Sequence, residues 1–187
     1  MQFRVPFGYA RVARAGSAAT AEGERPSAPE PDPADLDRHE MTPHEIAEAV
    51  GRGMYEKDHA SRTLGMVLEE IRPGYARMSM KVGKAMVNGH DTCHGGIIFT
   101  LADSTFAFAC NSYNHVTVAQ GATIEFLAQG KLDDVLTAVG EERHHAGKTA
   151  VYDVRVLNQE GRAVALFRGK AFRLKGHVVA DVPAVGA

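Results

Sequence analysis

Asp103 is the residue whose chemical type fits its surroundings least. Between Asp91 and Glu125 it is the only member of the Asp, Glu, Lys and Arg set. It lies within residues 97–110, a run of mostly apolar or small side chains that indicates a buried helix. An ionised carboxylate there is costly unless hydrogen bonds or a partner charge compensate, and Asp is a poor helix-interior residue. The position indicates a functional carboxylate; the alternative is a side chain that emerges at the surface or caps a neighbouring backbone segment.

The segment before that helix, Asn88-Gly89-His90-Asp91-Thr92-Cys93-His94-Gly95-Gly96, has features that suit a carbonyl substrate. Gly95 and Gly96 open the helix, and without side chains they leave its first N–H groups accessible. Such donors at a helix N-terminus suit an oxygen that gains negative charge. His94 could orient the loop or donate to the substrate, and Asn88 could orient a water or hold the carbonyl. Close helix–sheet packing for the glycines and a structural role for His94 are the alternatives.

Metal and cofactor sites are not expected. His90, Asp91, Cys93 and His94 lie close together in sequence, but the paired ligands that are typical of structural zinc sites are missing. The sequence contains no Gly-x-Ser-x-Gly elbow, no phosphate-binding loop and no dinucleotide fingerprint. Cys93 and Cys110 are interpreted as small buried hydrophobic residues.

Composition and charge exclude several classes of partner. The 187 residues carry a formal net charge of -2, which favours neither nucleic acid nor an anionic membrane surface. No stretch is long and apolar enough to span a bilayer. The two cysteines form no disulfide framework, so we expect a reducing, cytoplasmic location.

The N-terminal part differs in composition from the rest. Residues 1–40 contain four prolines between positions 26 and 33 and few large apolar side chains, which predicts a disordered extension. Two alternatives are a transit peptide, since the first 21 residues contain arginines and no acid, and a translation start at Met41.

The remaining segments predict an α+β domain over residues 41–175, followed by a C-terminal tail over 176–187. Thr42-Pro43-His44-Glu45 has the pattern of a capping box, which predicts a helix to about Lys57. A helix from about His94 to Asn111 is apolar on all sides and therefore buried. Strands are predicted over 64–71, 75–82, 116–127, 135–144, 149–157 and 163–174. One buried helix followed by four consecutive strands predicts a curved antiparallel sheet wrapped around that helix.

These motifs together resemble the hotdog-fold acyl-CoA thioesterases of the phenylacetate-degradation (PaaI) type. The resemblance covers residues 41–175. The matching segments are Asn88, His94-Gly95-Gly96, Leu101-Ala102-Asp103, Ala109-Cys110-Asn111, Thr123-Ile124-Glu125-Phe126-Leu127 and Val151-Tyr152-Asp153-Val154-Arg155-Val156.

The resemblance implies a role for each site residue. Asp103 would be the nucleophile or general base, acting on a thioester whose carbonyl points at the Gly95 N–H of the other subunit. Asn88 would assist in binding the thioester or the attacking water, and His94 would shape the loop. The substrate-binding candidates are Gly96, Gln120 and Thr123.

The implied activity is hydrolysis of aryl-CoA thioesters, of the phenylacetyl- or hydroxyphenylacetyl-CoA kind, to the free acid and CoA. No cofactor is implied, and the implied assembly is a homodimer that pairs into a homotetramer. The acyl pocket would include Ile97, Phe99, Phe106 and parts of the first helix. The alternatives are a hotdog hydratase or dehydratase and a non-catalytic acyl-CoA-binding module.

Overall fold

The first helix begins where its capping residues predict. In the computed structural model, which describes residues 40–186, helix α1 spans Pro43–Lys57. The Glu45 N–H donates to Thr42 Oγ1 at 3.3 Å, and the Thr42 N–H donates to Glu45 Oε2 at 2.7 Å. These reciprocal bonds satisfy two donors that a helix end otherwise leaves unpaired. The predicted disordered extension lies outside the described residues, apart from Glu40, and stays a prediction.

A single antiparallel sheet forms the body of the domain. Its six strands have the order β1-β2-β4-β5-β6-β3. Helix α2 spans His59–Thr63 and helix α3 spans Gly95–Asn111, with a short 3-10 turn at Lys84–Met86 before α3. The strands are β1 Val67–Arg72, β2 Tyr75–Lys81, β3 Thr117–Phe126, β4 Val135–Ala146, β5 Thr149–Leu157 and β6 Ala163–Arg173. Helix α3 packs against the sheet, so the predicted α+β hotdog architecture is confirmed.

The central helix and the sheet approach closely because glycines in the strands leave room for side chains of α3. A Cβ built on Gly169 in β6 would lie 2.8 Å from the ring of Phe106. That ring also packs edge-on against Tyr152, and all of these side chains are buried. Phe106 therefore belongs to the core, and it does not line an open acyl pocket as the sequence predicted. Within residues 40–186 no helix meets the length and apolarity that a membrane crossing requires.

The sequence prediction missed one element. The sequence indicated no helix between α1 and the first strand, whereas the chain forms the short helix α2 there. The first strand was predicted to begin at Leu64, and β1 begins at Val67. The Asp58 carboxylate accepts from the Ser61 N–H at 2.9 Å and starts this helix. Gly65, with φ of 67°, ends the turn that follows. A single side-chain cap on a five-residue helix leaves too little periodicity for sequence reasoning to detect.

The segment after β6 is held against the domain by Asn114. The Asn114 side-chain amide donates to the Val179 carbonyl at 3.0 Å and to the Val182 carbonyl at 2.6 Å. Its oxygen accepts from the Val179 N–H at 2.9 Å. Asn114 is fully buried and has φ of 61°, a conformation that Asn tolerates better than most residues. The sequence had assigned this C-terminal tail no interactions.

The Asn114 contacts predict a stability effect. Asn114→Ala should lower the free energy of unfolding by about 2–4 kcal/mol, because it leaves partly buried backbone groups of the C-terminal segment unpaired and strains a positive-φ site. Chemical denaturation measures this. Asn158→Ala, which removes a similar amide from the exposed β5–β6 turn, is the control and should cost less than about 1 kcal/mol. Equal losses in the two variants would contradict the anchoring role.

Candidate active site

Asn88 shapes the loop that leads into α3. Its Oδ1 accepts from the His90 N–H at 2.9 Å, from the Thr92 N–H at 3.3 Å and from the Thr92 hydroxyl at 3.2 Å. Asp91 adopts a positive φ of 57° inside this turn. The amide oxygen of Asn88 is thus used within the loop. The Nδ2 group, which has no hydrogen bond to residues 40–186, is the part of the side chain left for a ligand.

Two backbone bonds fix the end of this loop at the start of α3. The Cys93 N–H donates to the Gly130 carbonyl at 2.8 Å, and the His94 N–H donates to the Met86 carbonyl at 2.8 Å. These bonds come from opposite sides of the loop. They hold the first turn of α3 in one position relative to the sheet.

His94 is the N-cap of α3. Its Nδ1 accepts from the Gly96 N–H at 2.9 Å, which requires an unprotonated Nδ1. A Cβ on Gly96 would lie 3.1 Å from that nitrogen, so a residue without a side chain suits this contact. The N–H groups of Ile97 and Ile98 donate to the His94 carbonyl. The Gly95 N–H is therefore the donor of the first turn that no acceptor within residues 40–186 occupies.

The free Gly95 N–H is a suitable site for a developing negative charge. The positive end of the α3 dipole reinforces it. Preorganised backbone donors of this kind stabilise the oxyanion of acyl transfer reactions. The Phe126 ring lies beside this turn, 3.2 Å from a Cβ built on Gly95. The sequence analysis placed Phe126 in a matching strand but assigned it no role.

Asp103 is half-buried in the middle of α3, and burial raises the pKa of its carboxyl above the usual range. Its carboxylate has no hydrogen bond or ion pair to the residues described, 40–186. The alternative that Asp103 caps a backbone segment therefore finds no support there. A carboxylate with a raised pKa and free oxygens is a better base than an ordinary surface Asp.

Asp103 and the free donor are far apart within one chain. Gly95 and Asp103 are eight residues apart in α3, which corresponds to about 12 Å along the helix axis and roughly 80° around it. A carbonyl bound at the donor and attacked by a water held on the base spans only about 8 Å at hydrogen-bonding distances. One chain does not bring the two groups together at one carbonyl.

Gln120 and Thr123, the two substrate-binding candidates in β3, do not lie beside Asp103. Gln120 lies at a bulge between Ala119 and Gly121 and is exposed. Thr123 pairs with Arg168, whose side chain points to the outer face of the sheet, so Thr123 faces the same way. Within one chain the structure does not place Thr123 on the helix face with Asp103. The roles of Gln120 and Thr123 in binding stay predictions.

Thr123 lies in a groove of about 350 Å³ on the outer face of the sheet. Asp153 organises this groove: its carboxylate accepts from Arg168 Nε at 2.6 Å and from Arg143 Nε at 3.1 Å. These bonds and the positive charges lower the pKa of Asp153. The groove is lined by three arginines, Arg143, Arg155 and Arg168, and two acids, Glu125 and Asp153, so its lining keeps a net positive formal charge.

Neither cysteine is suited to act as the nucleophile. Burial raises the pKa of Cys93 to about 11 and that of Cys110 to about 12, so both remain thiols at neutral pH. Both are free and buried, as predicted. Within residues 40–186 no three His, Cys, Asp or Glu side chains are grouped so that they could hold a metal ion.

Comparison with known proteins identifies the family. The acyl-coenzyme A thioesterase PaaI of Escherichia coli strain K12 is 44% identical over 128 residues, which are 68% of this chain and 91% of that protein. The chain belongs to the PaaI-type family of hotdog thioesterases. Residues 90–165 also match the profile of the Thioesterase superfamily. The predicted resemblance is confirmed, and this PaaI-type protein is a thioester hydrolase.

Solved structures agree with this assignment. The structure of the Escherichia coli PaaI protein, from the phenylacetic acid degradation operon, superposes with a TM-score of 0.72 at 42% identity, covering 73% of this chain and 99% of that one. A hypothetical thioesterase of Streptococcus pneumoniae TIGR4, solved with coenzyme A, superposes with a TM-score of 0.58 at 35% identity. That match covers 60% of this chain and 90% of the other.

The cap on α3 yields a prediction about activity. His94→Ala should cost about 1 kcal/mol of stability through loss of the N-cap. It should also lower kcat/KM at least about tenfold, because the first turn that carries the Gly95 donor loses its support. Thr42→Ala removes the cap of α1 and is the matched control, with a similar stability cost and unchanged activity. Steady-state kinetics measure the activity of both variants, and thermal melts measure their stability. Equal activity in the two variants would contradict a role for the α3 cap in the site.

Proposed function

We propose that the chain hydrolyses acyl-CoA thioesters with an aryl acyl group, such as phenylacetyl- or hydroxyphenylacetyl-CoA, to the free acid and CoA. The observation that carries the proposal is the pairing of two features of α3, the half-buried carboxylate of Asp103 and the free N–H of Gly95. The names of the Escherichia coli relative and of its operon support the substrate class.

The reaction follows from these two groups. The thioester carbonyl accepts a hydrogen bond from Gly95 N–H, which stabilises the oxyanion. Asp103 either takes the proton from a water that attacks the carbonyl carbon or attacks that carbon itself. With Asp103 as the base, the water oxygen forms the new C–O bond, the C–S bond breaks, and the CoA sulfur takes the proton that Asp103 removed from the water. With Asp103 as the nucleophile, its oxygen forms an anhydride with the acyl group while CoA leaves as the thiolate, and a water then hydrolyses the anhydride to the free acid and the Asp103 carboxylate. We assign the free Nδ2 of Asn88 the role of assisting the thioester or the water. Hydrolysis of this kind needs no cofactor.

The distance between Gly95 and Asp103 supports a site shared between two copies of the chain. Because one chain cannot present both groups to one carbonyl, we assign the donor to one protomer and the carboxylate to its partner. Strand β3 supports the same assembly. It lies at the edge of the sheet and is exposed over most of its length, with a single charged residue, Glu125. Such an edge favours pairing with another strand.

The proposed assembly is a homodimer through this edge, two of which pair into a homotetramer. The proposed location is the cytoplasm, because both cysteines are free thiols and the net charge is small. The proposed partner is the acyl-CoA substrate, with neither nucleic acid nor membrane as a partner.

A hydratase or dehydratase fits the site less well. That chemistry needs a histidine paired with an acid to move protons at carbon. The Nδ1 of His94 is occupied by the Gly96 N–H. A non-catalytic binding module would not need a desolvated carboxylate.

Asp103 provides the test of this function. Asp103→Asn should lower kcat at least about 100-fold, because a positioned base is lost. CoA release from phenylacetyl-CoA, followed with a thiol reagent, measures kcat. Asp133→Asn is the matched control and should leave kcat unchanged, because Asp133 is an exposed acid paired with Lys81.

Thermal stability distinguishes a catalytic from a structural Asp103. Burial raises its pKa in the folded protein, so the folded state holds this proton to higher pH and stability falls as pH rises through that pKa. Asp103→Asn removes the ionised form. It should melt at or above the wild-type temperature at neutral pH, and the difference should vanish below the ordinary Asp pKa. A variant that melts earlier but keeps near-normal kcat would refute the assignment.

A further inference from the structure

The aromatic ring of Phe126 lies against the first turn of α3. A Cβ built on Gly95 would lie 3.2 Å from its Cζ and 3.5 Å from its Cε1. The side chain is nevertheless 54% exposed. The ring thus lies beside the donor-bearing residue and presents a large surface that its own chain leaves uncovered. No role in the reaction has so far been given to this surface.

The backbone that carries the ring is tightly held. Phe126 pairs with Ala165 of β6, and the next N–H, from Leu127, donates to the Val164 carbonyl at 2.8 Å. The Gly130 carbonyl then accepts from the Cys93 N–H, two residues before Gly95. The strand end and the helix start are therefore tied together. A preorganised surface of this kind binds a ligand with little loss of conformational entropy.

The position of the Gly95 N–H determines which part of a bound thioester lies near the Phe126 ring. An oxygen that accepts from Gly95 N–H lies about 2.9 Å from that nitrogen, and its carbonyl carbon lies about 1.2 Å further away. The acyl group begins at that carbon. The first atoms of an acyl group thus lie about 4 Å from the Gly95 nitrogen, at the same turn of α3 that the Phe126 ring lies against. The Phe126 side chain is apolar, and an aromatic acyl group gains additional offset or edge contacts with it.

We propose that Phe126 is a specificity-determining residue: its ring forms the wall that receives the acyl group of a thioester held at Gly95 of the same chain, and it favours aryl over alkyl acyl groups. The proposal rests on the thioesterase function proposed above and deepens it by naming what selects the acyl group. The acyl pocket that the sequence predicted did not include this residue.

Kinetics with two substrates test the proposal in the full-length protein. Phenylacetyl-CoA and hexanoyl-CoA are compared for the wild type, Phe126→Leu and Phe126→Ala. Phe126→Leu keeps most of the apolar surface and removes the ring, so it should raise KM about tenfold for phenylacetyl-CoA and less than about threefold for hexanoyl-CoA. Phe126→Ala should raise KM for both substrates, more for the aryl one, and kcat should change less than KM.

A neighbouring residue supplies the control. Leu127 is 52% exposed and follows Phe126 in the chain. Leu127→Ala should leave the ratio of kcat/KM for the two substrates unchanged, and sedimentation should show all variants in the wild-type assembly.

Three outcomes would overturn the proposal. The first is a Phe126→Leu variant whose KM for each of the two substrates equals that of the wild type. The second is an equal loss for both substrates, which places the ring on the CoA side of the thioester. The third is dissociation of the variants with activity regained at higher concentration, which makes Phe126 an interface residue. If the wild-type protein releases CoA from neither substrate, the proposed thioesterase function is refuted. That result differs from the three above, in which the wild type is active and only the role of Phe126 fails.

Discussion

The packing of α3 against the sheet partly desolvates the carboxylate of Asp103, and the fold has to offset the free-energy cost of this group. A carboxylate in the middle of the core helix is tolerated only if the helix buries its other sides well and leaves this one partly open. Leu101, Ala102 and Phe106 are fully buried around it, and glycines in the strands let the sheet approach α3 closely. The apolar burial of these neighbours offsets the cost of the one charged group. The same arrangement raises the pKa of Asp103 and so makes it a stronger base.

A second constraint lies at the start of the same helix. Four N–H groups at a helix N-terminus need acceptors, and three of these donors in α3 find them at His94. No acceptor among residues 40–186 reaches the Gly95 N–H. The Asn88 turn and the bonds from Cys93 and His94 support the turn that carries this donor. The helix thus carries a base at its middle and an electrophilic site at its end, too far apart to act on one carbonyl within a single chain.

Much of this could be predicted from the sequence because it rests on local patterns. The capping box of Thr42 and Glu45, the apolar helix around Asp103 and the β5 strand bounds all follow from residue types and spacing. Helix α2 was missed because it depends on one cap, at Asp58. The anchoring of the C-terminal segment by Asn114 joins residues 65 or more positions apart, which periodicity cannot reveal. The contact of Phe126 with Gly95 likewise depends on the register of β3 with β6 and on the packing of α3.

If the donor and the base of one site come from two protomers, two variants that are each inactive should restore activity when they are mixed. Gly95→Pro removes the donor, and Pro suits this first helical position because His94 has a ψ of 131°. Gly95→Ala also adds a Cβ but keeps the N–H, so this variant should be more active than Gly95→Pro. Gly95→Pro and Asp103→Asn should each be inactive alone. Dissociated and reassociated together in equal amounts, they should recover about a quarter of the wild-type activity, because half of the dimers then contain one intact site of two. A mixture that forms mixed dimers and stays as inactive as its components would contradict the shared site.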